Sequence, residues 1–206
     1  MAVLQRVQDL AGAGARLVKG NHDEMAVRPP AQGDSIGISI AAWTHAQLDR
    51  SQLDFLDKLP LVVERGSVAL VHASLDHPER WRYATDQRSA AASLDALASP
   101  DVRHVFGGHV HHQSLYYRGA DKGLMKFAPT PGVAIPVQDH RHWLATLGSV
   151  GQPRDGNPQV MYAPFDTLAA CNWGFHALPT TTWTLRRAIR RAGSPAYFAN
   201  RLETRQ

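Results

Sequence analysis

Short apolar runs, each followed by glycine, asparagine or histidine, form the clearest pattern in the first half of the chain. They cover residues 15–18, 68–71 and 102–106, and runs of this length indicate buried strands. In open α/β sheets the chemistry lies beyond the carboxyl ends of the strands, so we predict a site where these runs end. The residues that follow the three runs are Gly20-Asn21-His22-Asp23, then His72, then Gly107, Gly108, His109 and His111.

Helical spacing of apolar residues recurs along the chain and predicts amphipathic helices that cover a sheet. Ser51 is predicted to cap one helix and Thr85 or Asp86 the next, because their side-chain oxygens accept hydrogen bonds from first-turn N–H groups. The predicted helices cover residues 2–13, 38–48, 52–59, 86–98, 183–192 and 196–202.

Alternating apolar and polar residues predict further strands. Two hairpins are expected, one from residues 61–64 and 68–72, the other from 114–118 and 124–127. Residues 141–147, 159–165 and 172–178 are predicted to form a second, mainly antiparallel sheet. Residues 128–136 contain three prolines and are predicted to be an irregular surface insertion.

Composition restricts the class of protein. The chain has 206 residues, 44% of them hydrophobic and 19% charged, which is sufficient for one sizeable core and predicts a single domain over 1–206. The single cysteine, Cys171, excludes an intramolecular disulfide and suits a reducing cytoplasm. No apolar run approaches the ~20 residues of a membrane span. The net charge of +4 favours anionic substrates.

The asparagine and the histidines at the predicted strand ends suit metal-assisted hydrolysis of phosphate esters. Neutral imidazole and amide ligands hold divalent ions and leave positive charge for a phosphate oxygen. His109 and His111 would point the same way if the strand continued straight. A tight turn after the glycines would instead direct them towards two neighbouring ions.

These motifs resemble the calcineurin-like metallophosphoesterase superfamily. The resemblance rests on Gly20-Asn21-His22-Asp23, Val71-His72-Ala73 and Gly108-His109-Val110-His111, in that order. The string at residues 148–158 is similar to that of the small bacterial and archaeal phosphodiesterase-type branch. The resemblance implies an α/β fold, a four-layer α/β/β/α sandwich, and an enzyme that hydrolyses phosphoesters.

The resemblance also implies roles for individual residues. Asn21, His72 and His109 would bind one metal of a pair, and His111 the other. A metal-bound hydroxide would attack phosphorus, while His22, oriented by Asp23, would protonate the leaving oxygen. The two divalent ions in this family would be manganese, iron, zinc or nickel.

One departure from the family pattern concerns the metals. The family's Asp-x-His and Gly-Asp motifs, the second of which bridges the two ions, have no counterpart before Val18. We therefore expect an N-terminally truncated member of the family. Because two close dications without a bridging carboxylate repel each other, this chain is expected to bind the pair poorly and to be inactive if it does not bind them.

The predicted function is metal-dependent, phosphodiesterase-like hydrolysis of a small phosphoester or nucleotide in the cytoplasm. One alternative is a non-catalytic domain that binds an anion or a protein, and another is a phosphoprotein or dinucleoside polyphosphate phosphatase. A third is nucleic-acid binding through Arg186, Arg187, Arg190 and Arg191. A covering helix with a solvated arginine face is favoured over nucleic-acid binding.

Overall fold

A mixed sheet with helices beside it forms the centre of the molecule. The computed structural model describes residues 2–31, 36–119, 123–138, 140–152, 154–156, 159–166, 172–179, 182–194, 197, 199–200 and 202. The helices are α1 (Ala2–Gly12), α2 (Asn21–Val27), α3 (Ile36–Gln47), α4 (Arg50–Asp57), α5 (Gln87–Asp95) and α6 (Thr182–Arg191). The strands are β1 (Val62–Arg65), β2 (Val68–Val71), β3 (His104–Gly107), β4 (Gln113–Arg118), β5 (Leu124–Phe127), β6 (Ala134–Pro136), β7 (Trp143–Leu147), β8 (Val160–Tyr162), β9 (Phe165–Asp166), β10 (Asn172–Gly174) and β11 (His176–Leu178).

The largest sheet has six strands in the order β1-β2-β3-β7-β4-β5. Strands β2, β3 and β7 run parallel, and both predicted hairpins, β1–β2 and β4–β5, are confirmed as antiparallel pairs. Its central strands are buried along most of their length because side chains pack on both faces. One cluster of buried side chains includes Val105, Tyr116 and Leu144, and the other includes Phe106, Trp143 and Trp173.

Strand β7 lies elsewhere than predicted. Residues 141–147 were expected in the second sheet, but β7 pairs between β3 and β4 in the centre of the first sheet. The remaining late strands form two small antiparallel sheets, β6-β10-β9 and β11-β8. Strand β6 lies inside the segment 128–136 that was predicted to be irregular, because Ala134–Pro136 pairs with β10. The helix predicted over 196–202 falls partly outside the described residues.

The chain before the first motif is not a strand of any sheet in the described part of the molecule. Residues 15–18 were predicted as a strand, and in the structure they precede a single backbone bond in which Lys19 N–H donates to Pro60 O at 2.8 Å. An apolar-rich run suits an extended conformation, but a strand also needs a neighbour that completes a ladder of hydrogen bonds. The motif that follows is helical, because α2 begins at Asn21.

Helix α4 is capped by Asp49 rather than by the predicted Ser51. The Asp49 carboxylate accepts a hydrogen bond from Gln52 N–H at 2.9 Å, and Gln52 Oε1 accepts one from Asp49 N–H in return. Ser51 lies inside the first turn and donates its hydroxyl to Asp49. The next cap is confirmed, since Asp86 accepts from Ser89 N–H at the start of α5. No helix in the described ranges is long and apolar enough to cross a membrane.

A buried lysine fixes the segment that carries the first motif. The Lys19 ammonium donates to Asp57 O at 2.8 Å and lies 3.3 Å from Glu24 and 3.4 Å from the Asp57 carboxylate. Arg28 pairs with the same two carboxylates at 2.8 and 2.7 Å. These bonds join α2 to α4, so they set the position at which Asn21 enters the site.

We expect Lys19→Met to lower the free energy of unfolding by about 1.5–3 kcal/mol, the usual contribution of hydrogen bonds to a charged group. Methionine keeps the apolar stem but leaves Glu24 and Asp57 without the ammonium. Urea unfolding measures the effect, and Lys58→Met, at an exposed lysine directly after α4, is the control. Equal losses in the two variants would contradict a specific role for Lys19.

Candidate active site

The parallel pairing of β2 with β3 brings the second and third motifs together. Its register pairs Leu70 with Phe106, and the ladder continues beyond the strands because Gly108 N–H donates to His72 O at 2.9 Å. The imidazoles of His72 and His109 therefore lie edge to face, with ring centroids 5.0 Å apart. Two predicted site residues from separate strand ends thus meet.

The first motif joins them from the start of α2. Asn21 Oδ1 lies 3.0 Å from His72 Nε2, within hydrogen-bond distance. Gly20 makes this approach possible, because a Cβ atom at that position would lie 3.0 Å from two atoms of the His72 ring. Asn21, His72 and His109 are therefore brought to one place by three different segments of the chain.

His109 and His111 occupy the left-handed region, with φ values of 60° and 64°. Between them Val110 N–H donates to Gly108 O at 2.6 Å, which closes a tight turn. The straight continuation of the strand is therefore excluded, and the tight turn considered from the sequence is present. Non-glycine residues in this region cost about 1–3 kcal/mol each, and such residues cluster at functional sites.

A backbone carbonyl orients one of these imidazoles. His111 Nδ1 donates to the carbonyl of Gln152 at 2.5 Å, and the backbone of Trp81 acts on the His109 ring, whose pKa it raises. A carbonyl only accepts hydrogen bonds, so Nδ1 of His111 carries the proton and Nε2 presents its lone pair. This arrangement is typical of histidines that bind metals.

Asp23 contacts the backbone rather than the imidazole that it was predicted to orient. Its Oδ2 accepts the Gly20 N–H at 2.7 Å and so caps the start of α2. Within the described residues Asp23 forms no hydrogen bond with His22, and the two interact through charge. Burial raises the pKa of Asp23, while the Gly20 N–H, His22 and Lys19 oppose that rise.

The imidazoles of the site are held neutral. Burial, with smaller contributions from His109, His22 and His111, lowers the pKa of His72 to about 4. Burial also lowers the pKa of His109 and His22, and the charge of Arg154 acts in the same direction on both rings. Neutral rings retain the lone pairs that a metal ion or an acidic proton requires.

Three side chains at the site were not assigned a role from the sequence. Arg154 belongs to the string at residues 148–158 and lies near enough for its charge to act on His22 and His109. Trp81 contacts His72 edge-on at 5.9 Å between centroids, and Tyr83 stacks on His109 at 4.1 Å. Trp81 and Tyr83 belong to a loop whose aromatic residues are evident in the sequence. The sequence pattern does not predict which of these rings point towards the site.

Comparison with known proteins decides the family. The sequence profile of the calcineurin-like phosphoesterase superfamily domain matches residues 1–169. The chain belongs to this superfamily. Its fold resembles the crystal structure of a metallophosphoesterase from Sphaerobacter thermophilus, with a TM-score of 0.77 and 29% identity over 92% of this chain and 76% of that one. The predicted α/β metallophosphoesterase fold is therefore confirmed.

Two further proteins are similar to this chain over much of its length, one in fold and one in sequence. A hypothetical protein from Pyrococcus horikoshii OT3 has a TM-score of 0.70 at 11% identity, over 97% of this chain and 77% of that one, which is a likeness of fold alone. An uncharacterized protein from Methanocaldococcus jannaschii is 29% identical over 155 residues. That match covers 72% of this chain but 59% of the relative, so the chain spans less than two thirds of that protein.

Metallophosphoesterases bind divalent metals, and Asn21, His72 and His109 are the candidate ligands that lie together here. Asn21 Oδ1 only accepts hydrogen bonds, so the 3.0 Å contact places a proton on His72 Nε2, and an ion binds that nitrogen only after the proton has moved to Nδ1. His109 lies beside that pair. Within the described ranges, however, no three His, Cys, Asp or Glu side chains form a ready group of metal ligands. Asp23, the acidic residue of the first motif, is occupied by the Gly20 N–H.

We expect the native protein to lose stability in acid through His72. Its folded pKa of about 4 lies below the ordinary 6.5, so the unfolded chain binds the extra proton between these values. The contribution of His72 to the free energy of unfolding is therefore lost as pH drops from 6.5 to about 4, by roughly 3 kcal/mol, and this contribution changes no further below that range. Urea unfolding at pH 7 and pH 4 measures this loss.

His72→Gln should remove that part of the acid sensitivity, whereas His140→Gln, at an exposed histidine, should retain it. NMR titration of the imidazoles gives a direct reading. A His72 ring that titrates near 6.5, or equal acid slopes in both variants, would contradict the buried neutral imidazole.

We also expect Gly20→Ala to displace the His72 ring by a few tenths of an ångström, since the new methyl group meets two ring atoms. Histidine-selective NMR should show shifted His72 resonances with little change in melting temperature. Gly12→Ala is the matched control, because a Cβ atom there meets nothing within 4 Å. Unchanged His72 resonances in Gly20→Ala would show that the close approach is not restrictive.

Proposed function

We propose that this chain is a metal-dependent phosphoesterase of the phosphodiesterase type, acting on a small phosphoester or nucleotide. The observation that carries the proposal is the contact of Asn21 with His72, and of His72 with His109, at the meeting point of three segments. Amide oxygens and neutral imidazoles are ligands that borderline dications accept.

Asn21, His72 and His109 would hold the first ion, and His111 would contribute to a second. A bound divalent ion would supply positive charge opposite the phosphate oxygens and lower the pKa of a water molecule. The hydrogen bond from His111 Nδ1 to the Gln152 carbonyl would keep that ring in one orientation when an ion binds.

Arg154 supplies a fixed cation at the same place. Its charge acts on His22 and His109, and its backbone N–H donates to His111 O at 3.5 Å. Gly148, at the start of that loop, has φ of 85°, and a Cβ atom there would overlap Met161. The loop is thereby held against β8, and the guanidinium suits recognition of a phosphate oxygen.

His22 would move the proton. Burial lowers its pKa, and the Asp23 carboxylate opposes that effect. An imidazole of this kind would take up a proton and deliver it to the leaving oxygen. Asp23 would sustain the imidazolium through its charge, as their interaction in the structure is coulombic.

A second candidate is metal-free binding of an anion. It is favoured by one observation on the described part of the chain, namely that the gathered groups are neutral imidazoles and a guanidinium, while the nearby Asp23 carboxylate bonds to Gly20 N–H. Such a pocket would attract phosphate through Arg154 without any ion.

Manganese titration of the purified chain, with bis(4-nitrophenyl) phosphate as substrate, tests the first candidate against the second. We expect turnover that rises with manganese, disappears with chelator and falls at least ~100-fold in His72→Ala, because that variant loses a ligand. His140→Ala should retain full turnover. Phosphate binding that depends on Arg154, together with no turnover at saturating manganese, would establish the second candidate and overturn the first.

We further expect His22→Ala to lower kcat by about 10²–10⁴-fold, the usual contribution of general acid–base catalysis, at unchanged manganese content. Metal content by atomic spectroscopy separates the two effects. Loss of manganese in this variant would show that His22 is a ligand rather than a proton donor.

A further inference from the structure

A strained loop directs two aromatic rings at the site. After His72 the chain passes through residues 76–83, here called the aromatic arm, which contains a 3₁₀ turn at Pro78–Arg80. His77 and Trp81 flank that turn, and each has φ of 53° in the left-handed region. A bulky residue such as tryptophan is a genuine outlier there, which indicates that the surrounding structure imposes the bend.

The bend returns the arm to the imidazoles. Trp81 contacts the His72 ring edge-on, with ring centroids 5.9 Å apart. Tyr83 stacks on His109, with centroids 4.1 Å apart and planes 23° apart. The arm therefore adjoins the two imidazoles at which a phosphoester would react.

Tyr83 is anchored and yet exposed. Arg82 pairs with Asp76 at 2.5 Å across the arm, and the next residue, Ala84, is 1% exposed. Tyr83 itself is 50% exposed although it stacks on His109. One face of the Tyr83 ring is thus covered by His109, and half of the residue stays open to a ligand beside the site.

The exposed tyrosine also borders a hollow. A hollow of about 260 Å³ is lined by Tyr83 together with Ser74, Asp76, Asp86, Arg88 and Ser89. Its lining residues carry hydrogen-bond donors and acceptors beside apolar surface, a combination that suits the edge and the face of a heterocycle or a sugar.

We propose that the aromatic arm binds the base of a nucleotide whose phosphate lies at the imidazoles, so that the substrate class is a nucleoside phosphoester. This inference rests on the proposed function for the position of the phosphate. All nucleobases stack on aromatic side chains, because every base has a flat π-face. Tyr83 would carry the base, and the hollow would receive the groups at its edge or the ribose.

Calorimetric binding of 5′-AMP, ribose 5-phosphate and inorganic phosphate to the full chain tests the arm without relying on turnover. We expect AMP to bind at least about tenfold more tightly than ribose 5-phosphate, since a base stacked on an aromatic ring typically contributes about 5- to 100-fold. Tyr83→Leu should reduce the ratio of AMP affinity to ribose 5-phosphate affinity to about one. Tyr83→Phe keeps the aromatic ring and should keep the wild-type ratio.

Tyr162→Leu is the matched control. Like Tyr83, Tyr162 is exposed, at 41%, and it stacks on a histidine, His176, in the β8–β11 sheet. This variant should keep the AMP preference. Equal binding of AMP and ribose 5-phosphate by the wild-type chain would overturn the proposal that the aromatic arm binds a base, even if manganese-dependent turnover is present. An AMP preference that depends on Tyr83, in a chain without turnover, would support base binding by the arm, while the hydrolase proposal would fail.

Discussion

The parallel pairing of β2 with β3 is the interaction on which the site depends. It ends with the bond from Gly108 N–H to His72 O, so the chain leaves both strands at the same level and the two imidazoles meet. A slip of one residue would turn the side chains of one strand to the opposite face. The buried neighbours Val105 and Val71 oppose such a slip, because their packing in the core fixes which face points inward. Packing in the core thereby fixes the relative positions of His72 and His109.

Electrostatics then decides what the gathered groups are able to do. The rings of His22, His72 and His109 are neutral because they are buried, and Arg154 adds a cation beside them. Asp23 faces the backbone, and two further acidic groups on the same helices, Glu24 and Asp57, are paired with Lys19 and Arg28. The described side chains at the site are therefore uncharged rings and a guanidinium, and they would give a bound metal little negative charge.

Local pattern predicted the parts of the molecule that are encoded locally. Both hairpins and the residues that follow β2 and β3 could be foreseen, since apolar runs and turn residues specify them. The position of β7 between β3 and β4 could not, because strand order is set by long-range pairing. Residues 15–18 have the composition of a strand and lack a ladder with the described strands. The aromatic arm was missed for a similar reason, as its direction depends on the conformations of His77 and Trp81.

The left-handed backbone at His109 and His111 has a consequence for how the sequence can vary. Glycine or asparagine would adopt these dihedral angles with less strain, so selection for folding alone would not retain histidine at either position. A library sorted by thermal survival should therefore drift away from imidazole at both positions. The turn between β3 and β4 thus carries two histidines that folding alone does not require.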